Sequence, residues 1–363
     1  MPALSFVDHR RDPAAWARAL GISREAVEIY LASDVIDLHV DSFIWTRLFG
    51  YDITKRHGHG LLGASFYSQV DLPRLREARV TGALWSITTN PMRRASRRPA
   101  VYVRNLARLR EVLASCPEDV VIVRDAAGYE RARAAGKHAA FLAIQGGNAL
   151  DAEDGDGLSL EQLGDEMIAV TLVHLSTSRL GTTSSPLKGL RARADGLTEL
   201  GKEYVRRLNA KRVFVDLAHV HPQGFWDAVA VHDATQPLLV SHTGISGVHR
   251  HWRNLDDEQL RAVAKTGGTV GVIYQSTFLG DPWLAGRASS IVDHLEHIVR
   301  VVGEDHASLG SDWDGMIVTP RDLKTCLELP RLVEDMLGRG WSAERIGKVL
   351  GGNFLRALRS LRG

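Results

Sequence analysis

Residues 35–41 read Val35-Ile-Asp-Leu-His-Val-Asp41. Apolar side chains at 35, 36, 38 and 40 fit a buried strand, expected over Val35–Val40. His39 and Asp41 are two apart, so an extended backbone points both to the same side. The strand thus delivers an imidazole and a carboxylate together at its C-terminal end. Working outward, seven more short runs read as buried strands: Gly82–Thr88, Ala139–Ile144, Ile168–Val173, Val213–Leu217, Leu238–Ser241, Thr269–Tyr274 and Ala307–Gly310. Charged segments of helical period lie between them, at Pro73–Val80, Val101–Leu113, Leu197–Lys211, Asp256–Lys265 and Ile291–Val302. Strand–helix alternation implies parallel strands joined by right-handed crossovers. Eight such strands in one unit predict an α/β protein with a (β/α)8 TIM-type barrel, its site at the C-terminal ends of the strands. Further helices at Leu323–Leu337 and Ala343–Leu350 would complete the outer ring. Asp12-Pro13 has the form of an N-cap followed by a first-turn proline, opening a helix to Leu20; a second is expected over Ser23–Ala32. Residues 1–33 are therefore read as a helical N-terminal extension packed on a barrel spanning 34–363.

Composition narrows the function. The 363 residues carry 45 basic and 43 acidic side chains, a net charge of +2. That balance provides no field to hold nucleic acid or an anionic membrane. The two cysteines, Cys116 and Cys326, exclude a disulfide framework and a cysteine-based zinc site. No signal peptide and no transmembrane run is read, so a cytoplasmic protein is expected. The 15 histidines matter by position. Predicted strands end at or beside His39 and Asp41, Gln145, His174, His219, His242 and Asp312. One histidine after a strand is ordinarily structural; the same feature at six of eight strand ends indicates a metal site. A mixed His/Asp donor set suits zinc and similar ions, in a catalytic site with open positions. A metal-dependent hydrolase is expected on these grounds alone.

Other clusters carry less. The acidic stretch Asp151–Glu166 lacks the ligand order of a calcium loop, and a solvated loop is expected. Arg93, Arg94, Arg97 and Arg98 read as a surface loop. His57 and His59 could reach the barrel mouth as substitute ligands, but exposed loop positions are the expectation. His249 and His251 are expected in a substrate loop, without a direct metal role.

The order of the motifs resembles the renal (membrane) dipeptidase family of zinc metallopeptidases, which have an amidohydrolase-like barrel. The matching stretches are Asp37-Leu-His-Val-Asp41, Gln69-Val-Asp-Leu-Pro-Arg-Leu75, Ile144-Gln-Gly-Gly147, Leu172-Val-His174, Val215-Asp-Leu-Ala-His219, Val240-Ser-His242, Arg253-Asn254, Gly310-Ser-Asp-Trp-Asp-Gly315 and Gly351-Gly-Asn-Phe-Leu-Arg356. The resemblance implies cleavage of dipeptides or a related small amide by metal-activated water. It places His39, Asp41 and Asp312 on one zinc and His219 and His242 on the other. Asp312 would also shuttle the proton, and His174 would stabilise the oxyanion. Arg253 would hold the substrate carboxylate, and Tyr274 would line the pocket. A homodimer is possible by the same resemblance.

This sequence departs from the family at two points. Gln145 stands where the family has a bridging glutamate, and Asn148 where histidine is frequent. A carboxamide is neutral and has one good metal-binding oxygen. The second ion should therefore bind more weakly. Three readings stay open: a dipeptidase with one or two ions; a mononuclear hydrolase of another small amide or a lactone; and a degenerate member that binds without turnover.

Overall fold

The structure is a computed structural model that describes residues 3–90, 93–150, 160, 163–186 and 195–363. Its nine strands are β1 (Ile36–Val40), β2 (Gly82–Thr88), β3 (Val120–Val123), β4 (His138–Gln145), β5 (Met167–Thr171), β6 (Phe214–Asp216), β7 (Leu239–Thr243), β8 (Thr269–Val272) and β9 (Ala307–Leu309). All pairings between them are parallel, in the order β2-β1-β9-β8-β7-β6-β5-β4-β3. β2 also pairs with β4 along its whole length, from Gly82 on Ala139 to Thr88 on Gln145. That pairing closes an eight-stranded barrel and leaves β3 outside it. The eight expected strands are the barrel strands, with ends shifted by up to two residues.

β3 was not anticipated. It pairs with residues 138–141 of β4, while residues 142–145 of β4 pair with β5. β4 is long enough to serve both partners. Val121 on this edge is 37% exposed, so the run lacks the fully buried setting of the barrel strands.

The helices bury the outer faces of the barrel strands. Asp12 caps Pro13–Leu20 through the Ala15 amide, and Ser23 caps Arg24–Ala32 through the Ala26 amide. Tyr30 from the second of these is fully buried and donates to the Ala78 carbonyl at 2.7 Å. The C-terminal helix, Asn353–Arg362, lies across the N-terminal ends of the strands. Phe354 packs on Phe141 and Phe214, with ring centroids 5.3 and 5.9 Å apart. Asn353 donates to the Ala307 carbonyl, and Arg356 to that of Gly267, both at 2.8 Å. This end of the barrel is sealed, which leaves the opposite end for chemistry. No helix among the described residues is long and apolar enough to cross a membrane.

Candidate metal centre

The C-terminal ends of the strands bring the polar residues into one buried group. His39 and Asp41 follow one another along β1 and its end, and Gln145 ends β4. His242 lies within β7, while His174, His219 and Asp312 stand in the turns just beyond β5, β6 and β9. All seven are at most 9% exposed. His219 and Asp312 have φ of 65° and 63°. A left-handed residue other than glycine costs about 1–2 kcal/mol. Backbone bonds hold both turns: the Asp312 amide to the His39 carbonyl at 3.1 Å, and the Ser184 amide to the His219 carbonyl at 2.7 Å.

The donor atoms converge. Nε2 of His219 and Nε2 of His242 are 2.9 Å apart, and Gln145 Nε2 lies 3.1 and 3.2 Å from them. His39 stacks on His242 with centroids 3.9 Å apart. Its buried Nε2 has no hydrogen-bond partner, though Asp41 and Asp312 oxygens lie 3.5 and 3.7 Å away. His39, His242 and Asp312 each offer a ligand atom within 4.8 Å of the others. This grouping crosses the trio and the pair expected from sequence, so the residues form one continuous cluster. An orphaned imidazole nitrogen between two carboxylates, beside a close pair of imidazole nitrogens, fits a divalent cation. It fits poorly as a self-contained hydrogen-bond network.

Supporting residues fix the rings, and sequence reading did not single them out. Asp216 accepts the Ser241 hydroxyl at 2.6 Å and the Thr171 hydroxyl at 2.5 Å. With its proton committed to Asp216, Ser241 Oγ accepts from His242 Nδ1 at 2.8 Å. His242 Nε2 is then left with its lone pair, the tautomer a metal ligand needs. Ser86 on β2 meets His39 Nδ1 at 3.2 Å. Thr88, also on β2, contacts both Asp41 Oδ1 and, at 2.8 Å, Gln145 Oε1. One hydroxyl proton cannot serve both oxygens. Turning the carboxamide over resolves the conflict. Thr88 then donates to Asp41 and accepts from Gln145 Nε2, and Oε1 faces the imidazole pair. The signal for Ser86 and Thr88 was their period-two spacing on the one barrel strand to which no site residue had been assigned.

Burial sets the electrostatics. It holds His219 and His242 well below the ordinary histidine value, and His174 at about 4. Burial also lowers His39, but Asp41 and Asp312 overcome that and raise it. For Asp41, burial pushes up, while His39 and Thr88 pull the carboxyl below its usual range. Burial dominates at Asp312 and raises it.

A cleft of about 380 Å³ opens over this cluster, lined by Asp41, Gln145, His174, His219, Arg253 and Asp312 among others. His174 Nδ1 faces the Thr89 carbonyl at 3.3 Å. Arg253 is 4% exposed; its Nη2 donates to the His242 carbonyl at 2.7 Å, while its buried Nε has no acceptor. Tyr274 corrects the sequence expectation. It is completely buried, edge-on to Trp313, and the cleft wall is built by its neighbours Ile273 and Gln275. β8 ends at Val272, so the chain has already left strand alternation when it reaches Tyr274. Arg93 also departs from the surface-loop expectation, because it lines the cleft. His57 is tied to the Asp52 carbonyl and His59 is exposed; neither lines the cleft. His251 stacks on Phe278, 4.2 Å between centroids. Residues 151–159, 161 and 162 of the acidic stretch lie outside the described residues. A second depression, of about 340 Å³, runs along the exposed edge of β3 and contains none of the convergent residues.

Residues 23–362 match the family described as membrane dipeptidase, peptidase family M19. The chain belongs to the membrane dipeptidase family. It is accordingly a metal-dependent hydrolase that resembles renal dipeptidase. The structure of a family M19 metallopeptidase, dipeptidase AC, is similar over 91% of this chain and 99% of its own, at 25% identity and a TM-score of 0.80. The probable dipeptidase PvdM from Pseudomonas aeruginosa shares the fold over 95% of this chain and 99% of its own, at 20% identity and a TM-score of 0.80. An uncharacterised protein encoded in the pqqA 5′ region of Klebsiella pneumoniae is 31% identical over 264 residues, 71% of this chain and 95% of that relative. In this membrane dipeptidase family member the histidine cluster includes Gln145.

Proposed function

We propose that this membrane dipeptidase relative cleaves the amide bond of a dipeptide or a similarly small amide, using one tightly held zinc ion and a weaker second. The observation that carries the reading is His39 Nε2 between Asp41 and Asp312, beside the paired Nε2 atoms of His219 and His242, at the floor of a cleft that also contains Arg253. His39, Asp41, His219, His242 and Asp312 would hold metal, with Gln145 contributing its single carbonyl oxygen once turned over. When bound, the metal supplies Lewis acidity and lowers the pKa of water.

The chain's own groups do the rest. Arg253 offers an unpaired Nε–H to the substrate carboxylate, and its guanidinium stays charged although burial lowers its pKa to about 10. Asp312 is raised by burial, which suits a carboxylate that takes a proton at its Oδ and returns it to the leaving amine. His174 lines the cleft with its Nδ1–H donating to the Thr89 carbonyl, so it would meet the carbonyl oxygen as an imidazolium, its Nε2 gaining a proton as negative charge develops there. A structure from Rhodobacter sphaeroides, described as a metallopeptidase with a phosphinate mimic of L-Ala-D-Ala, guides the choice of first substrates. A cytoplasmic homodimer is part of the proposal.

Gln145 favours a second reading, a mononuclear hydrolase of another small amide or a lactone. One experiment separates the two. Purified protein is titrated with zinc, the metal per chain is counted, and turnover is assayed on a dipeptide panel and on lactones. Dipeptide cleavage that rises with zinc supports the first reading. Lactone cleavage at one ion per chain, without dipeptide cleavage, supports the second.

A further inference from the structure

Two arginines in the cleft have no place in the chemistry above. Arg47, on the helix Phe43–Phe49 after β1, and Arg93, after β2, both line it. The buried Nε of Arg47 has no acceptor, and neither arginine has a carboxylate within 4 Å among the described residues. Arg93 acts on Arg47, though less strongly than the Asp41 carboxylate does, and both arginines line the same cleft. Their position is also informative. Around the barrel, β2 and β7 are four strands apart in a ring of eight, so Arg93 after β2 and Arg253 after β7 stand across the mouth from one another. Gln145 removes a negative charge from the floor between them.

We propose that Arg47 and Arg93 form a second carboxylate subsite, so that the preferred substrate is a small amide with an acid group at each end. Arg253 holds the C-terminal carboxylate, an assignment that rests on the function proposed above. The second acid then belongs to the other end of the molecule. It is either the side chain of an N-terminal Asp or Glu, or the free carboxylate of a dicarboxylic acyl group. A planar guanidinium fork is well shaped for either, and a cleft of about 380 Å³ has room for a molecule of this size.

The test compares kcat/KM for Glu-Ala, Gln-Ala, Lys-Ala and N-succinyl-alanine in the zinc-loaded protein and in Arg47→Gln, Arg93→Gln and Arg93→Glu. Wild type is expected to favour Glu-Ala over Gln-Ala by at least tenfold, with Lys-Ala the poorest dipeptide. Each Gln variant should bring the Glu/Gln ratio towards one, and Arg93→Glu should invert the preference towards Lys-Ala, a gain that misfolding cannot produce. Faster turnover of N-succinyl-alanine than of Glu-Ala identifies the acyl form. If wild type cleaves Gln-Ala as well as Glu-Ala and N-succinyl-alanine, the subsite is wrong and the dipeptidase reading stands. If no compound is cleaved, the dipeptidase reading falls and equilibrium binding decides the subsite. Calorimetric binding of Glu-Ala tighter than Gln-Ala, lost in Arg93→Gln, upholds it; equal binding overturns it.

Discussion

Restoring a carboxylate at position 145 tests the centre most directly. Gln145 lies 3.1 and 3.2 Å from the Nε2 atoms of His219 and His242, and its other end meets Thr88 at 2.8 Å. In Gln145→Glu one unit of negative charge enters this space. At ~4 Å and an effective dielectric of ~20, a unit negative charge and a divalent ion attract by about 8 kcal/mol. Desolvating the new carboxylate takes back a large part, since burying an ion costs several kcal/mol. A net gain of about 1.5–3 kcal/mol remains, or roughly ten- to hundredfold tighter metal binding at ~1.4 kcal/mol per decade. Without metal the sign reverses. Thr88 has one hydroxyl proton, and Asp41 already takes it. A glutamate at 145 would face Asp41 across that hydroxyl with no proton of its own, so metal-free Gln145→Glu should melt several degrees below wild type. Zinc should then raise its melting temperature by more than it raises the wild type's. Competition against a chromophoric chelator measures the affinity, element analysis counts ions per chain, and calorimetry follows both melting shifts. A folded variant with wild-type zinc affinity would refute the argument, because position 145 would then not face the ion. If a second ion binds and dipeptide turnover does not rise, the natural substrate is not a dipeptide.

Three further outcomes follow from the same geometry. Asp216→Asn weakens the acceptor that commits the Ser241 proton and so fixes His242; zinc affinity should drop roughly ten- to hundredfold in the chelator assay while the fold persists. Arg253→Met should lower kcat/KM on free dipeptides by roughly a hundredfold or more, and should cost far less on substrates whose C-terminus is amidated, because a buried charge-assisted bond contributes about 2–5 kcal/mol. Away from the site, burial would push the Glu77 carboxyl up, but His9, Arg56 and the Val7 amide hold it at about 2 against an ordinary 4.5. A depressed carboxylate stabilises fully above its unfolded pKa and loses that effect as pH falls through the folded one. Wild-type stability should therefore decline between about pH 5 and 2, and Glu77→Gln should remove roughly 1–2 kcal/mol at pH 7 and flatten that decline in urea titrations.

The barrel was legible because its strands are buried on both faces, and such strands write continuous β-branched runs into a sequence. Val120–Val123 escaped because it is a four-residue edge strand paired only to β4, with Val121 half out in solvent. The helix Asn353–Arg362 was recognised only as a motif. Its work is to seal the strand starts, a long-range task that local periodicity does not record. At the site, residue types at strand ends singled out His39, Asp41, Gln145, His219, His242 and Asp312, which the fold brings together in one buried cluster. Their division between ions was not legible, because it depends on distances across the barrel rather than along the chain. His39, His242 and Asp312 come from β1, β7 and the turn after β9, yet each offers a ligand atom within 4.8 Å of the others, across the two sets expected from motif order.

Tyr274 shows the limit from the other side. The resemblance put Tyr274 in the pocket at the end of an expected strand Thr269–Tyr274, but β8 ends at Val272 and the side chain turns inward. Ser86 and Thr88 show what period-two counting can still recover. They alternate along an intact seven-residue strand, and both reach the metal cluster. Thr88 is the more consequential of the two, because its single proton couples Asp41 to position 145. A neutral carboxamide can accept that arrangement by turning over, and a glutamate cannot. The physical content of the Gln145 departure is therefore a neutral side chain that satisfies Thr88 only by turning its Oε1 towards the His242 lone pair, an arrangement a cation completes. The corresponding cost is weaker retention of the second ion when metal is present.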